Sequence, residues 1–176
     1  EAGLRLRRRQ AGLLEADRAV CPGEHAAGPA LVGRAVRRRG GEAAHQLQVV
    51  LVDAGRGVVM RMAAAGSLPD LLGGVLITHL HSDHICALND VITTHWIRTR
   101  EDKVLQIYGP IGTARFVDRQ IHALEDDIGY RIDHHDPLKK GPQVEVTELE
   151  PGDAFSIGNV NVTTAATMHA PVRPTI

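Results

Sequence analysis

Residues 78–84 read Thr78-His79-Leu80-His81-Ser82-Asp83-His84, and they follow directly on the apolar run Gly74-Val75-Leu76-Ile77. A short apolar run bounded by glycine is the pattern of a buried strand. The fold therefore has to bring the end of a core strand, where the chain turns, to a place that tolerates three imidazoles and a carboxylate. On extended backbone His79 and His81 project to one side and Leu80 to the other. Asp83 and His84 fall in the turn before a helix and address a second, adjacent point. Two neutral imidazoles at one point, with a carboxylate and an imidazole beside them, suit borderline divalent cations such as zinc. The plain alternative is a solvated loop rich in histidine. The strand before and the helix after supply the context that favours a metal site.

The pattern on either side predicts a mixed α/β domain over 49–176. Val49-Val50-Leu51-Val52-Asp53 reads as a strand closed by Ala54-Gly55-Arg56-Gly57. Val58–Ala65 reads as a short helix with Val58, Met62 and Ala65 on one face and Gly66 as its stop. Ile85, Leu88, Ile92 and Trp96 recur at helical steps and predict a helix from Ile85 to Arg98. Val104–Tyr108 is a further strand, and Ala114, Val117, Ile121 and Leu124 mark a third helix. Gln143–Glu148 alternates, and Ala154–Ile157 and Val160–Ala165 pair across Gly158-Asn159 as a hairpin.

Residues 1–48 read differently. They carry nine arginines against five acidic residues, whereas 49–176 carry eleven Lys/Arg against sixteen Asp/Glu. No strand alternation is visible there, and the helical pattern near Leu13–Val20 is weak. A basic arm for nucleic acid is one reading; a poorly structured or aberrant lead-in fits the composition better. The acidic body announces no broad phosphate-binding surface. Two cysteines, Cys21 and Cys86, form no disulfide framework and point to a reducing cytoplasm. No apolar run reaches membrane-spanning length, and the arginine-rich start lacks the apolar stretch of a secretory signal.

Taken together, Val52-Asp53-Ala54-Gly55-Arg56-Gly57, Thr78–His84 and Met168-His169-Ala170-Pro171 resemble the metallo-β-lactamase superfamily. Within it, the Asp-Gly turn followed by a helix, and a metal motif reading His-Ser-Asp-His, resemble the ribonuclease Z-like branch. The resemblance implies an αββα sandwich with a two-zinc centre at one sheet edge. It implies that His79, His81 and His169 hold the first metal, that Asp83 and His84 belong to the second, and that Asp53 supports these ligands from behind. A turn-forming role for Asp53 before glycine is compatible with that. His134 and His135, between Asp133 and Asp136, read as a solvated loop, His95 as a packed helix residue, and Cys86 as a small buried one.

A cation pair of this kind activates water and neutralises charge on a phosphoryl group, with Asp83 orienting the nucleophile and accepting its proton. The implied activity is phosphodiester hydrolysis, with the 3′ trailer of precursor tRNA as substrate. Two alternatives stand beside it: hydrolysis of small esters, sulfates or cyclic phosphodiesters at the same centre, and a catalytically inactive metal-binding fragment. The family's bridging aspartate and later histidines have no counterpart before Ile176, so the expectation is an incomplete sandwich. Its uncovered sheet face and strand edges would leave the isolated chain unstable or make it associate, a homodimer being one outcome.

Overall fold

Four of the apolar runs become neighbours in one sheet. In the computed structural model, which describes residues 4–7, 49–100, 103–171, 175 and 176, Val49–Val52 (β2), Leu72–Leu76 (β3), Leu105–Pro110 (β4) and Val144–Leu149 (β5) are joined by Leu4–Arg7 (β1). The order is β1-β5-β4-β3-β2, and every pairing is parallel. Parallel neighbours cannot be joined by a tight turn and need a crossover. Val58–Ala64 (α1) lies between β2 and β3, and Ser82–Ile85 (α2) with Leu88–Thr99 (α3) between β3 and β4. Thr113–His122 (α4) and Glu125–His134 (α5) lie between β4 and β5.

The sheet is covered on both faces. Leu51, Val75, Ile107, Val144 and Val146 pack with the helical residues Val58, Met62, Leu88, Val91, Val117 and Ile121. On the other face Val50, Tyr108 and Leu149 pack against Phe155 and Ile157, which lie in or near the hairpin Ala154–Ile157 (β6) and Val160–Thr163 (β7). Tyr108 and Phe155 stack at 4.7 Å. A helix layer, a parallel sheet and two strands of a second sheet are thus all present among the described residues, which is the mixed α/β architecture the resemblance implied. Because neither face is wet, the polar positions of β5 are buried too: Glu145 accepts a hydrogen bond from Gln106 Nε2 at 2.9 Å, and Thr147 lies inside.

Several boundaries differ from expectation. A strand exists at Leu4–Arg7, where none was read; its four residues pair with Val144–Thr147 along the open edge of β5, a long-range partner that no local pattern reveals. The rest of 1–48, including Leu13–Val20 and the other arginines, lies outside the described residues. Strand β3 starts before the glycines read as its boundary. At Gly74 a Cβ would sit 3.2–3.3 Å from Tyr108 and Ile157, so the hairpin packs where a side chain would be. The helix expected from Ile85 is two helices, because the Ala87 N–H donates to Ala54 O at 2.9 Å and ties the break to the loop after β2. Helix α5 was missed; its apolar stripe is only Ile128 and the partly buried Ile132, and most of the rest is polar. Cys86 is exposed rather than buried, since it falls at that helix break. Among the described residues no helix is long and apolar enough to cross a membrane.

His95 is the packed helix residue expected, almost fully buried on α3 with its Nε2 unpartnered. Burial, reinforced by the Lys103 ammonium and opposed by the Asp70 carboxylate, pushes its pKa down to about 4. An unfolded histidine titrates near 6.5, so below that pH the unfolded chain binds the proton that the folded chain refuses. The contribution of neutral His95 is fully present above pH ~6.5 and is lost as the pH falls toward ~4. Urea unfolding at pH 7 and pH 5 should show a stability loss from this residue of about 2 kcal/mol. His95→Gln, uncharged throughout, should remove that increment; an identical pH dependence in both proteins would contradict it.

Candidate metal centre

In a parallel α/β sheet the loops at the carboxyl ends of the strands are the natural place for a site. Here that edge carries Asp53 after β2 and Thr78–His84 after β3. The two loops are stitched together by backbone. The Asp53 N–H donates to Leu76 O at 2.7 Å, and the Ala54 N–H to His84 O at 2.6 Å. Gly55 passes so close to the second loop that a Cβ there would overlap the Asp83 carbonyl oxygen. Asp53 itself sits at φ 60, a left-handed turn that aspartate tolerates better than most residues.

The nearly buried Asp53 carboxylate then organises the loop. Its Oδ1 accepts the Thr78 N–H at 2.8 Å, and Thr78 Oγ1 lies 3.0–3.1 Å from both its oxygens. Its Oδ2 lies 2.7 Å from His84 Nδ1. A carboxylate can only accept, so His84 carries a proton on Nδ1, which leaves Nε2 as the ligand nitrogen of the neutral ring. The Thr78 hydroxyl has one proton, directed at Asp53, and therefore accepts from His79 Nδ1 at 3.0 Å. That leaves His79 Nε2 unprotonated as well. One carboxylate fixes the tautomer of two histidines, directly and through a hydroxyl, as outer partners of metal-binding histidines do.

The freed nitrogens converge. His79 Nε2 lies 3.1 Å from His81 Nδ1, which lies 3.2 Å from His169 Nε2. The three ligand atoms fall within 4.8 Å of one another. Nitrogens around a tetrahedral zinc at its usual bond length stand about 3.3 Å apart, so the two short separations match the edges of such a site. His79 is buried, and that burial pushes its pKa down; positive charge on His84, His81 or His169 would press it further, while Asp53 opposes. A neutral imidazole is the form a metal binds. His81 and His169 are exposed at the mouth. The Ile176 N–H donates to Thr78 O at 3.1 Å, next to the motif.

All the residues singled out around the motif therefore gather at one edge. His84 lies beside the first three, its ring 4.1 Å from that of His79, and its Nε2 is 3.5 Å from Asp83 Oδ2. Asp83 is exposed beside them. His134 and His135 meet edge to face at 5.3 Å, exposed, outside the one three-ligand cluster found among the described residues. Sequence reasoning gave no role to Thr78. A hydroxyl immediately before the first histidine, one strand over from a strand-end aspartate, was the available signal.

The model of the beta-lactamase superfamily domain matches residues 48–175. Ribonuclease Z of Mycobacterium sp. (strain KMS) is 48% identical over 156 residues, covering 88% of this chain and 51% of that protein. Ribonuclease Z of Mycobacterium marinum (strain ATCC BAA-535 / M) is 47% identical over 131 residues, 73% of this chain and 47% of that protein. The chain spans about half the length of the curated relatives it matches. Among solved structures, the short form of human tRNase Z (ELAC1) aligns with a TM-score of 0.45 at 22% identity, over 62% of this chain and 38% of that one. The metallo-beta-lactamase fold protein YhfI from Bacillus subtilis aligns at 0.47 and 18% identity, over 71% and 43%.

The contact between the two loops makes a direct prediction. Gly55→Ala forces the Asp83 carbonyl away, which should cost about 1–3 kcal/mol in denaturant unfolding. The same shift moves His84 off Asp53, so zinc uptake should fall too. A variant with wild-type stability and zinc uptake would show that the loops are not locked together.

Proposed function

Because this chain belongs to the beta-lactamase superfamily, we propose that it carries the metal centre of a ribonuclease Z-type phosphodiesterase that removes the 3′ trailer of precursor tRNA. The observation that carries the reading is the convergence of His79, His81 and His169, with Asp53 fixing the proton positions behind them. The identity to mycobacterial Ribonuclease Z supports the substrate class. His79 Nε2, His81 Nδ1 and His169 Nε2 would hold one zinc, and Asp83 with His84 Nε2 would contribute to a second. Bound there, such cations supply Lewis acidity toward water and the phosphoryl oxygens.

The chain's own groups do the rest. Asp83, half exposed at the mouth, orients the attacking water and accepts its proton on a carboxylate oxygen. Asp53 and Thr78 keep His79 and His84 from turning or re-protonating on the ligand nitrogen. The exposure of His81, Asp83 and His169 makes an open edge and not an enclosed pocket. That shape favours a polymer lying across the site over a small ester, sulfate or cyclic phosphodiester, which needs enclosure. A cytoplasmic location and pairing of two copies belong to the same proposal. They are supported by the sparse, unframed cysteines and by the sheet edges at β1 and β2, which pair with no further strand among the described residues.

Zinc content and cleavage together test it. The chain should retain at least one zinc, lose it in His79→Ala, and cleave a precursor tRNA on the 3′ side of the acceptor stem. That cleavage should stop with a chelator and fall in His79→Ala on the order of 100-fold or more. Turnover of a chromogenic phosphodiester alone would sink the tRNA assignment. Less than one zinc per chain, unchanged by His79→Ala, would sink the metal centre itself and leave an inert fragment.

A further inference from the structure

The parallel order β4-β3-β2 places three loops side by side at the edge that holds the histidines. The middle loop is the motif itself. The loop after β2 carries Arg56, and the turn after β4 runs into Arg115 on the first turn of α4. Both arginines are exposed. Arg56 directly follows Gly55, whose backbone approaches the Asp83 carbonyl more closely than a side chain allows. Arg115 turns back along its own helix. Its Nη2 lies 3.9 Å from the point where a Gly112 Cβ would stand, and Leu80 Cδ1 lies 3.1 Å from that same point. The guanidinium therefore lies on the Leu80 side of the motif loop, which is the β4 side, while Arg56 follows β2.

Neither arginine is neutralised. Among the described residues neither has an ion pair or hydrogen bond from its side chain. The nearby carboxylates are otherwise engaged. Asp83 faces His84, and Asp118 faces His122. Glu148 Oε1 accepts the Gly112 and Ala114 N–H groups at 2.8 and 3.1 Å, which pins the β4–α4 turn against Leu80. Elsewhere Arg98, Arg131 and Lys139 are each tied to an aspartate, while Arg61, Arg100 and Arg119 share the lack of a side-chain partner but do not sit at the turns that follow the strands flanking the motif.

We propose that Arg56 and Arg115 are phosphate contacts that seat one strand of RNA across the centre, one on each side of the histidines. The inference rests on the ribonuclease reading above. Strands two apart in a sheet are separated by about 10 Å, so the pair brackets the histidine cluster and can hold backbone phosphates flanking the one attacked. Such contacts position the strand without reading its bases.

The test is binding of a labelled single-stranded RNA by fluorescence anisotropy, across about 50–200 mM salt. Arg56→Ala and Arg115→Ala should each weaken binding several-fold and lower the slope of log affinity against log salt by about 0.7. Arg56→Lys, which keeps the charge, should restore most of the slope. Arg100→Ala, at the far end of α3, should match wild type. Wild-type slopes in both alanine variants, or no salt-dependent binding by the wild-type chain, would overturn the proposal. Zinc-dependent hydrolysis of bis(p-nitrophenyl) phosphate by the same wild-type chain separates the two levels. If hydrolysis is present while the slopes do not change, only the arginine roles fail; if hydrolysis and RNA binding are both absent, the ribonuclease reading fails with them.

Discussion

The Asp53 carboxylate is the group on which the rest of the edge depends. A carboxylate this buried is costly unless its oxygens are fully used. Here they take the Thr78 N–H and hydroxyl and the His84 ring. Those partners come from the neighbouring strand's loop, so satisfying the charge also fixes the loop. Through Thr78 the effect reaches His79, whose Nδ1 bonds that hydroxyl. The same few bonds thus solve a folding problem and set the protonation pattern that a metal requires.

Topology supplies the other half of the explanation. A parallel sheet sends every strand end toward the same edge, so groups remote in sequence meet without long loops. Asp53 and His84 are 31 residues apart yet face each other because β2 and β3 are neighbours. The glycines at 55 and 74 mark where two backbones, or a backbone and the hairpin, come closer than a side chain allows. His169 reaches the cluster from beyond β7, where its Nε2 meets His81 Nδ1.

How much of this was legible in the sequence varied with how local the cause is. The motif at 79–84, the strand before it and the hairpin around Gly158-Asn159 are encoded by neighbours in the chain, and the structure has them. His169 and Asp53 were reached through their resemblance to a known family, and the geometry brings both to the cluster. The features missed have distant causes. Leu4–Arg7 becomes a strand only because the edge of β5 is open to it. The break at Cys86-Ala87 exists because Ala54 O captures the Ala87 N–H. Glu145 and Thr147 are buried because both sheet faces are covered, so alternation alone could not show it. Helix α5 has one buried apolar residue, too thin a stripe for periodicity to detect.

The central claim is that Asp53 holds the ligand nitrogens of His79 and His84 in their unprotonated form. Asp53→Asn tests it with almost no change in shape. The new amide can still accept from Thr78, but its N–H₂ would face His84 Nδ1 and drive that proton to Nε2. Zinc affinity, measured by competition with a chromophoric chelator, should fall 10–100-fold, and nitrogen NMR should show the His84 proton moved to Nε2. Unchanged zinc affinity with His84 still protonated on Nδ1 would contradict the account.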